Sequence, residues 1–232
     1  MRIKVYENEA HLAGAAAETA AMSLRKAAEE RENEPYRICF GADKINVEMM
    51  RELVTEDVSW KNAHIWFSWE FLGERGTGDI SRRKRITYNL TDKLTTLPPE
   101  NLHFSDGELL DAASASRLSD GAKEPFDLIF VELLPDGGIC MNVPPCDFDA
   151  RSAYINTKDF LGSPCVTVSA YKILTSRRLV ALASGEHMAR IVGALFENEL
   201  SAMTPSALLR EHPDFILLLD KEAARFVPNC YL

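Results

Sequence analysis

The residues best suited to chemistry lie in one polar loop near the middle of the chain. Asp136, Asn142 and Arg151 bring a carboxylate, an amide and a guanidinium into this loop, and these groups can accept a proton, donate hydrogen bonds and pair with an anion. The loop follows an apolar run, Leu128–Val131, which predicts a buried strand. In an α/β protein, ligands usually bind at the carboxyl end of a central strand. An ordinary crossover loop is the alternative, and the pattern alone favours it.

The elements that must position this loop alternate between strands and helices. A 232-residue chain fits one domain, here residues 1–232, that buries roughly 70–75% of its extended surface. The alternation predicts an α/β fold with a mostly parallel sheet and helices on both faces. The predicted strands are 3–6, 37–40, 63–71, 128–131, 165–168 and 178–183, and the longest predicted helix is 7–30.

Two further strands are followed by a glycine and then by a helix. Gly41 precedes Lys44 in one turn, and Gly185 precedes His187 in the other. Free backbone N–H groups at such a helix start can bind an anion. A plain helix start, capped by Asp43 or Asn46, is the favoured alternative for the first turn. For His187 a surface position is the alternative.

Composition limits the partners. Hydrophobic residues make up 46% and charged residues 26%, with a net charge of −9 and a pI near 5.1, which argues against nucleic-acid and anionic-membrane surfaces. No apolar run is long enough to span a bilayer, and the first residues show no secretory apolar region. Five cysteines without a C-x-x-C spacing favour reduced thiols over a disulfide framework or a zinc site. We therefore expect a cytoplasmic protein without a metal or cofactor.

A basic run, Arg82–Arg85, opens a predicted helix. Four consecutive cations could meet an anionic ligand or partner, but a solvated helix face is the more common arrangement. Just before it, Glu70 ends an aromatic stretch, which could stack on a sugar but more often packs in a core.

The central segment resembles the signature of the glucosamine-6-phosphate deaminase and 6-phosphogluconolactonase superfamily. That signature is a strand followed by G-x-G-x-D-G-H and, in the deaminases, by I-x-F-N-E-P and a later S-R-T. The matching positions are Asp136-Gly137, Ile139, Asn142, Pro144 and Arg151. Further matches lie at 165–190 and 205–224.

Several functional positions of the family differ in this chain. Gly138 stands at the family histidine and Val143 at the family glutamate, while Glu132 and Leu134 replace the leading glycines. The family lysine of the S-G-x-x-K-A segment corresponds to His187, which carries a charge only when protonated.

The resemblance also implies roles for individual residues. Asp136 takes the place of the proton-abstracting base, and Glu70 is the remaining carboxylate of the family's acidic pair, with Trp69 replacing the other. The implied ligand is a small sugar or sugar phosphate, and a homo-oligomer is left open. The implied substrate-binding residues are Gly41, Lys44, Gly137, Gly138, Asn142, Arg151, Gly185 and His187.

Three functions are compatible with this pattern. The first is a divergent glucosamine-6-phosphate deaminase or isomerase of amino-sugar metabolism, weak or inactive in that reaction. The second is a non-catalytic homologue that binds a sugar or metabolite and regulates or scaffolds. The third is a lactonase-like hydrolase. In each case we predict that the loops 41–46, 136–142 and 184–187 converge on one cleft.

Overall fold

A computed structural model describes residues 1–31, 34–104, 109–197 and 199–231. Its main sheet has six parallel strands in the order β1-β9-β8-β5-β2-β3. The fold class predicted from the sequence is therefore confirmed. These strands are β1 (Arg2–Tyr6), β2 (Tyr36–Phe40), β3 (Ala63–Phe67), β5 (Leu128–Val131), β8 (Leu179–Ala183) and β9 (Phe215–Asp220).

A second sheet has three antiparallel strands in the order β4-β7-β6. They are β4 (Trp69–Phe71), β6 (Tyr154–Lys158) and β7 (Pro164–Val168). The predicted single strand 63–71 is wrong, because the chain changes sheets at Ser68. The Ser68 N–H donates to Phe40 O at 2.8 Å, and its carbonyl accepts from the Val168 N–H at 2.8 Å.

The helices are α1 (Glu9–Glu30), α2 (Lys44–Leu53), α3 (Arg82–Asn89), α4 (Ser114–Gly121), α5 (Ala170–Leu174) and α6 (Glu186–Glu197). Short 3₁₀ turns lie at Gly73–Thr77, Thr91–Lys93, Pro99–Asn101, Pro205–Glu211, Ala223–Phe226 and Asn229–Tyr231.

The first helix shows how sequence and packing agree. Asn8 caps α1, its side chain accepting from the His11 N–H at 3.0 Å, so the helix begins two residues later than predicted. Its buried face consists of alanines and two leucines, and small side chains allow close packing. In the sheet, each residue of β5 and β8 is buried, which indicates that both faces of the sheet are covered. No helix among the described residues is long and apolar enough to cross a membrane.

Candidate active site

A cleft of about 230 Å³ lies where β2, β5 and β8 end. The predicted convergence is confirmed for the turns at 41–46 and 184–187, which both line this cleft. The loop after β5 contributes Leu133 and Pro135 to the lining but no residue of 136–142, so the convergence predicted for 136–142 is wrong. Asp136 lies beside the cleft, next to Pro135. The lining residues are Glu9, Asp43, Lys44, Ile45, Leu133, Pro135, Leu182, Ala183, Ser184, His187 and Met188.

In the first of these turns, at 41–46, a backbone N–H binds a carboxylate of the chain itself. The Ala42 N–H donates to Glu132 Oε1 at 2.5 Å, and only 2% of the Glu132 side chain is exposed. A Cβ on Gly41 would lie 3.0 Å from Glu132 Cγ and 3.0 Å from Asn46 Nδ2, so this position leaves little room for any other residue. The Ala42 N–H of this turn is thus occupied by Glu132.

The cation of the first turn is also engaged. Lys44 is exposed, and its ammonium forms an ion pair with Glu9 at 2.7 Å. Asp43 caps α2, accepting from the Asn46 N–H at 3.0 Å, as the helix-cap alternative predicted. A phosphate approaching this turn would meet Glu9 and Asp43 as well as Lys44.

The third turn, at 184–187, also has a backbone N–H that is bound by a carboxylate of the chain. Gly185 has a φ of +87°, a conformation suited to glycine. Its N–H points at the Asp220 carboxylate, 2.9 Å from Oδ2, and the Ser184 hydroxyl donates to the same oxygen at 3.0 Å. His187 is exposed in the first turn of α6. The N–H of this turn is therefore also satisfied from within the chain.

The middle turn, at 136–142, carries Asp136, the residue that the resemblance implies as the base. Asp136 is exposed, and its Oδ1 accepts from the Gly138 N–H at 2.9 Å. Gly137 has a φ of +85°. Asn142 is 3% exposed, and its amide donates to Ile139 O at 3.1 Å and to Val168 O at 2.8 Å. Asp136 thus remains accessible to a ligand, while Asn142 holds the loop together.

Glu70 lies in a different setting from Asp136. It is fully buried and accepts from the Phe71 N–H, the Ser81 hydroxyl and the Arg83 N–H at 2.7–2.9 Å. Burial raises the pKa of its carboxyl. These contacts anchor the start of α3, which is a structural role, and a catalytic role for Glu70 stays a prediction.

The expectation that the basic run forms a solvated face is wrong. Arg82 forms an ion pair with Glu132, and 12% of its side chain is exposed. Arg83 is 1% exposed and lies 3.6 Å from Glu70. Arg85 donates to Ala42 O at 3.2 Å. The partners lie far away in the chain, so charge spacing alone gave no signal for these contacts.

Arg151 lies apart from the cleft. Its guanidinium is 5.0 Å from the centre of the Tyr171 ring, and it lines another cavity of about 480 Å³ with Lys172. The structure therefore does not bring Arg151 together with the three turns.

Sequence reasoning missed three residues of the cleft region: Glu132, Asp220 and Arg82. Glu132 and Arg82 approach the first turn and Asp220 the third. The available signal was Glu132, a carboxylate at the end of a buried strand where the family has glycine. A buried charge requires a partner, and that requirement could have pointed to a neighbouring arginine.

One prediction concerns Asp43. Burial and the nearby Glu132 carboxylate raise its pKa from 3.8 to about 6. The folded state therefore binds this proton more tightly than the unfolded state, and the free energy of unfolding falls as pH rises between these values. We expect Asp43→Asn to raise the free energy of unfolding by about 1–2 kcal/mol at neutral pH, because asparagine caps a helix equally well.

Urea unfolding at about pH 4 and pH 7 measures the effect, which should vanish at the lower pH. The exposed Asp92, changed to Asn, is the matched control. A loss of stability in Asp43→Asn at pH 7 would contradict the prediction.

Comparisons with known proteins agree with the fold. No protein-family profile matches the chain. The glucosamine-6-phosphate deaminase of Cutibacterium acnes is 26% identical over 172 residues, which are 67% of this chain and 66% of that protein. The deaminase of Halothermothrix orenii is 28% identical over 153 residues, 57% of this chain and 62% of that protein. The matched part of the chain thus spans less than two thirds of the length of these relatives.

Solved structures match nearly the whole chain. A monomeric glucosamine-6-phosphate deaminase has a TM-score of 0.81 and 20% identity, covering 97% of this chain and 100% of that one. A 6-phosphogluconolactonase from Shewanella baltica also has a TM-score of 0.81, with 17% identity over 95% of this chain and 97% of that one. The chain is therefore similar in sequence to glucosamine-6-phosphate deaminases, and it shares the fold of the deaminase and 6-phosphogluconolactonase structures. In this chain, its own carboxylates accept hydrogen bonds from backbone N–H groups of the turns at 41–46 and 184–187.

Proposed function

We propose that the chain binds a carbohydrate in the superfamily cleft and does not use the phosphate grip of a glucosamine-6-phosphate deaminase. The supporting observation is that Glu132 and Asp220 accept the N–H groups of Ala42 and Gly185. Backbone N–H groups in the turn that leads into a helix can bind a phosphate when they are free. Here both are already engaged, and an incoming phosphate would also be repelled by these carboxylates.

The cleft itself suits a small polyhydroxyl ligand. Its lining combines the apolar side chains of Leu133, Leu182 and Met188 with polar ones, among them the exposed His187. Ligand sites commonly combine apolar walls with a few polar groups that fix orientation. A non-catalytic, carbohydrate-binding member of the superfamily is the function that this arrangement supports best.

An active enzyme is the second candidate. Asp136 is exposed on the turn beside the cleft, where the resemblance implies a base. Ammonia release from glucosamine 6-phosphate and hydrolysis of 6-phosphogluconolactone would separate the deaminase and lactonase versions of this candidate.

A thermal-shift screen tests the proposed function. Glucosamine, N-acetylglucosamine and glucose are compared with their 6-phosphates, because a ligand specific to the folded state raises the Tm. We expect at least one free sugar to raise the Tm, and its phosphate to add nothing. His187→Ala should reduce the shift, whereas the exposed His11→Ala serves as control. A shift seen only with the phosphorylated sugars would refute the proposal.

A further inference from the structure

Three donors from separate parts of the chain converge on the Glu132 carboxylate. The Ala42 N–H approaches Oε1 at 2.5 Å. The Trp69 indole N–H donates to Oε2 at 3.0 Å, and the Arg82 guanidinium forms an ion pair with the same oxygen. The guanidinium carbon also lies 4.0 Å from the centre of the Trp69 ring, which holds the arginine in place.

This set of groups has the chemistry of an oxyanion site. A backbone N–H in the turn before α2, an indole N–H and a guanidinium are all donors, and charge-assisted hydrogen bonds to an anion are the strong ones. Arg82 Nε is buried and has no hydrogen-bond partner among the described residues. A phosphate, with more oxygens than a carboxylate, could use this additional donor.

We infer that Glu132 is the specificity-determining residue of the cleft, acting as an internal ligand that closes a latent phosphate site. Because Glu132 is tethered at the end of β5, its carboxylate competes at a high effective concentration with any dissolved anion. Its negative charge excludes a second anion from the same donors. Removing the side chain frees the Ala42, Trp69 and Arg82 donors for inorganic phosphate or a phosphate monoester.

The site adjoins the cleft. Leu133, the next residue along the chain, lines the cleft, and so does Asp43, whose pKa is raised by burial and by Glu132. Truncating Glu132 would therefore extend the cleft towards Arg82. This inference rests on the proposed function, since it explains why phosphate is excluded.

Glu132→Ala tests the inference with inorganic phosphate as the probe. For a dissociation constant of about 1 mM, about 10 mM phosphate should raise the Tm of this variant by roughly 3–6 °C. Wild type should show only the small general stabilisation by phosphate that all variants share. The double variant Glu132→Ala with Arg82→Ala should lose the specific part of the shift.

Glu132→Gln is the matched control, because it removes the charge and keeps the volume. We expect a smaller specific phosphate effect in this variant than in Glu132→Ala, because the amide still occupies the donors although the charge is gone. A folded Glu132→Ala variant whose shift equals that of wild type would overturn the inference.

A refolding experiment tests the inference if the Glu132→Ala variant is not obtained in a folded state. The denatured variant is diluted into phosphate or into chloride of equal ionic strength. Recovery in phosphate alone supports the inference, and failure in both overturns it. Sugar binding by wild type is measured separately. Absence of that binding refutes the proposed function, whereas a negative phosphate test refutes only the role of Glu132.

Discussion

Purified protein should release ammonia from glucosamine 6-phosphate at least about 10²-fold more slowly than a working deaminase such as that of Cutibacterium acnes. Gly138 and Val143 stand at the family histidine and the family glutamate, and neither side chain can supply a second acid–base group beside Asp136. The occupied turns also remove remote binding energy that positions a substrate. A coupled ammonia assay with both enzymes side by side measures the difference.

Asp136→Asn is the informative variant for this assay. We expect it to leave the low background unchanged. Rapid turnover by wild type that is abolished in Asp136→Asn would contradict the prediction and show that another residue supplies the acid.

Restoring the family histidine should not restore activity, even together with the family glutamate. A Cβ on Gly138 would lie 2.9 Å from Asn142 O and 2.9 Å from Asp136 Oδ1. These are closer than real contacts of a Cβ allow, so Gly138→His would have to shift the turn that carries the proposed base. The surrounding turn has room only for glycine at this position. We therefore expect Gly138→His with Val143→Glu to remain inactive in the same assay.

The second large effect concerns the buried carboxylate of Glu70. Glu70→Ala should lower the free energy of unfolding by about 3–5 kcal/mol, because it leaves the Arg83 charge buried with less compensation. Three hydrogen bonds are lost at the same time: one from the Phe71 N–H in β4, and two from Ser81 and Arg83 at the start of α3. Urea unfolding followed by tryptophan fluorescence measures the change.

Glu74→Ala is the matched control, since Glu74 is exposed on the same segment and a surface substitution of this kind usually changes stability by less than about 0.5 kcal/mol. If Glu70→Ala unfolded at the same urea concentration as wild type, the anchoring role of Glu70 would be wrong. A stable Glu70→Ala variant that lost sugar binding would instead favour a functional role.

The sequence by itself determined the fold class and the location of the cleft. Apolar runs of strand length, each ended by a glycine or proline, alternate with helical patterns, and this local information specifies parallel strands whose carboxyl ends share one edge. For that reason the turns at Gly41 and Gly185 were found without the structure, as was the loop after Leu128–Val131.

The tertiary structure alone decided what occupies those turns. The strand predicted at 63–71 divides at Ser68. The sequence pattern does not show where one sheet ends, because both halves are buried and apolar. The charges at Arg82 and Glu132 are equally uninformative in isolation, since an arginine run is usually solvated and a glutamate usually exposed. Only folding places the Glu132 carboxylate on the Ala42 N–H and beside Arg82, because pairing between charges distant in the chain depends on the packing of β5 against β2 and of α3 over their ends. That pairing, which no local pattern encodes, places the protein's own carboxylate on the backbone N–H of the turn after β2.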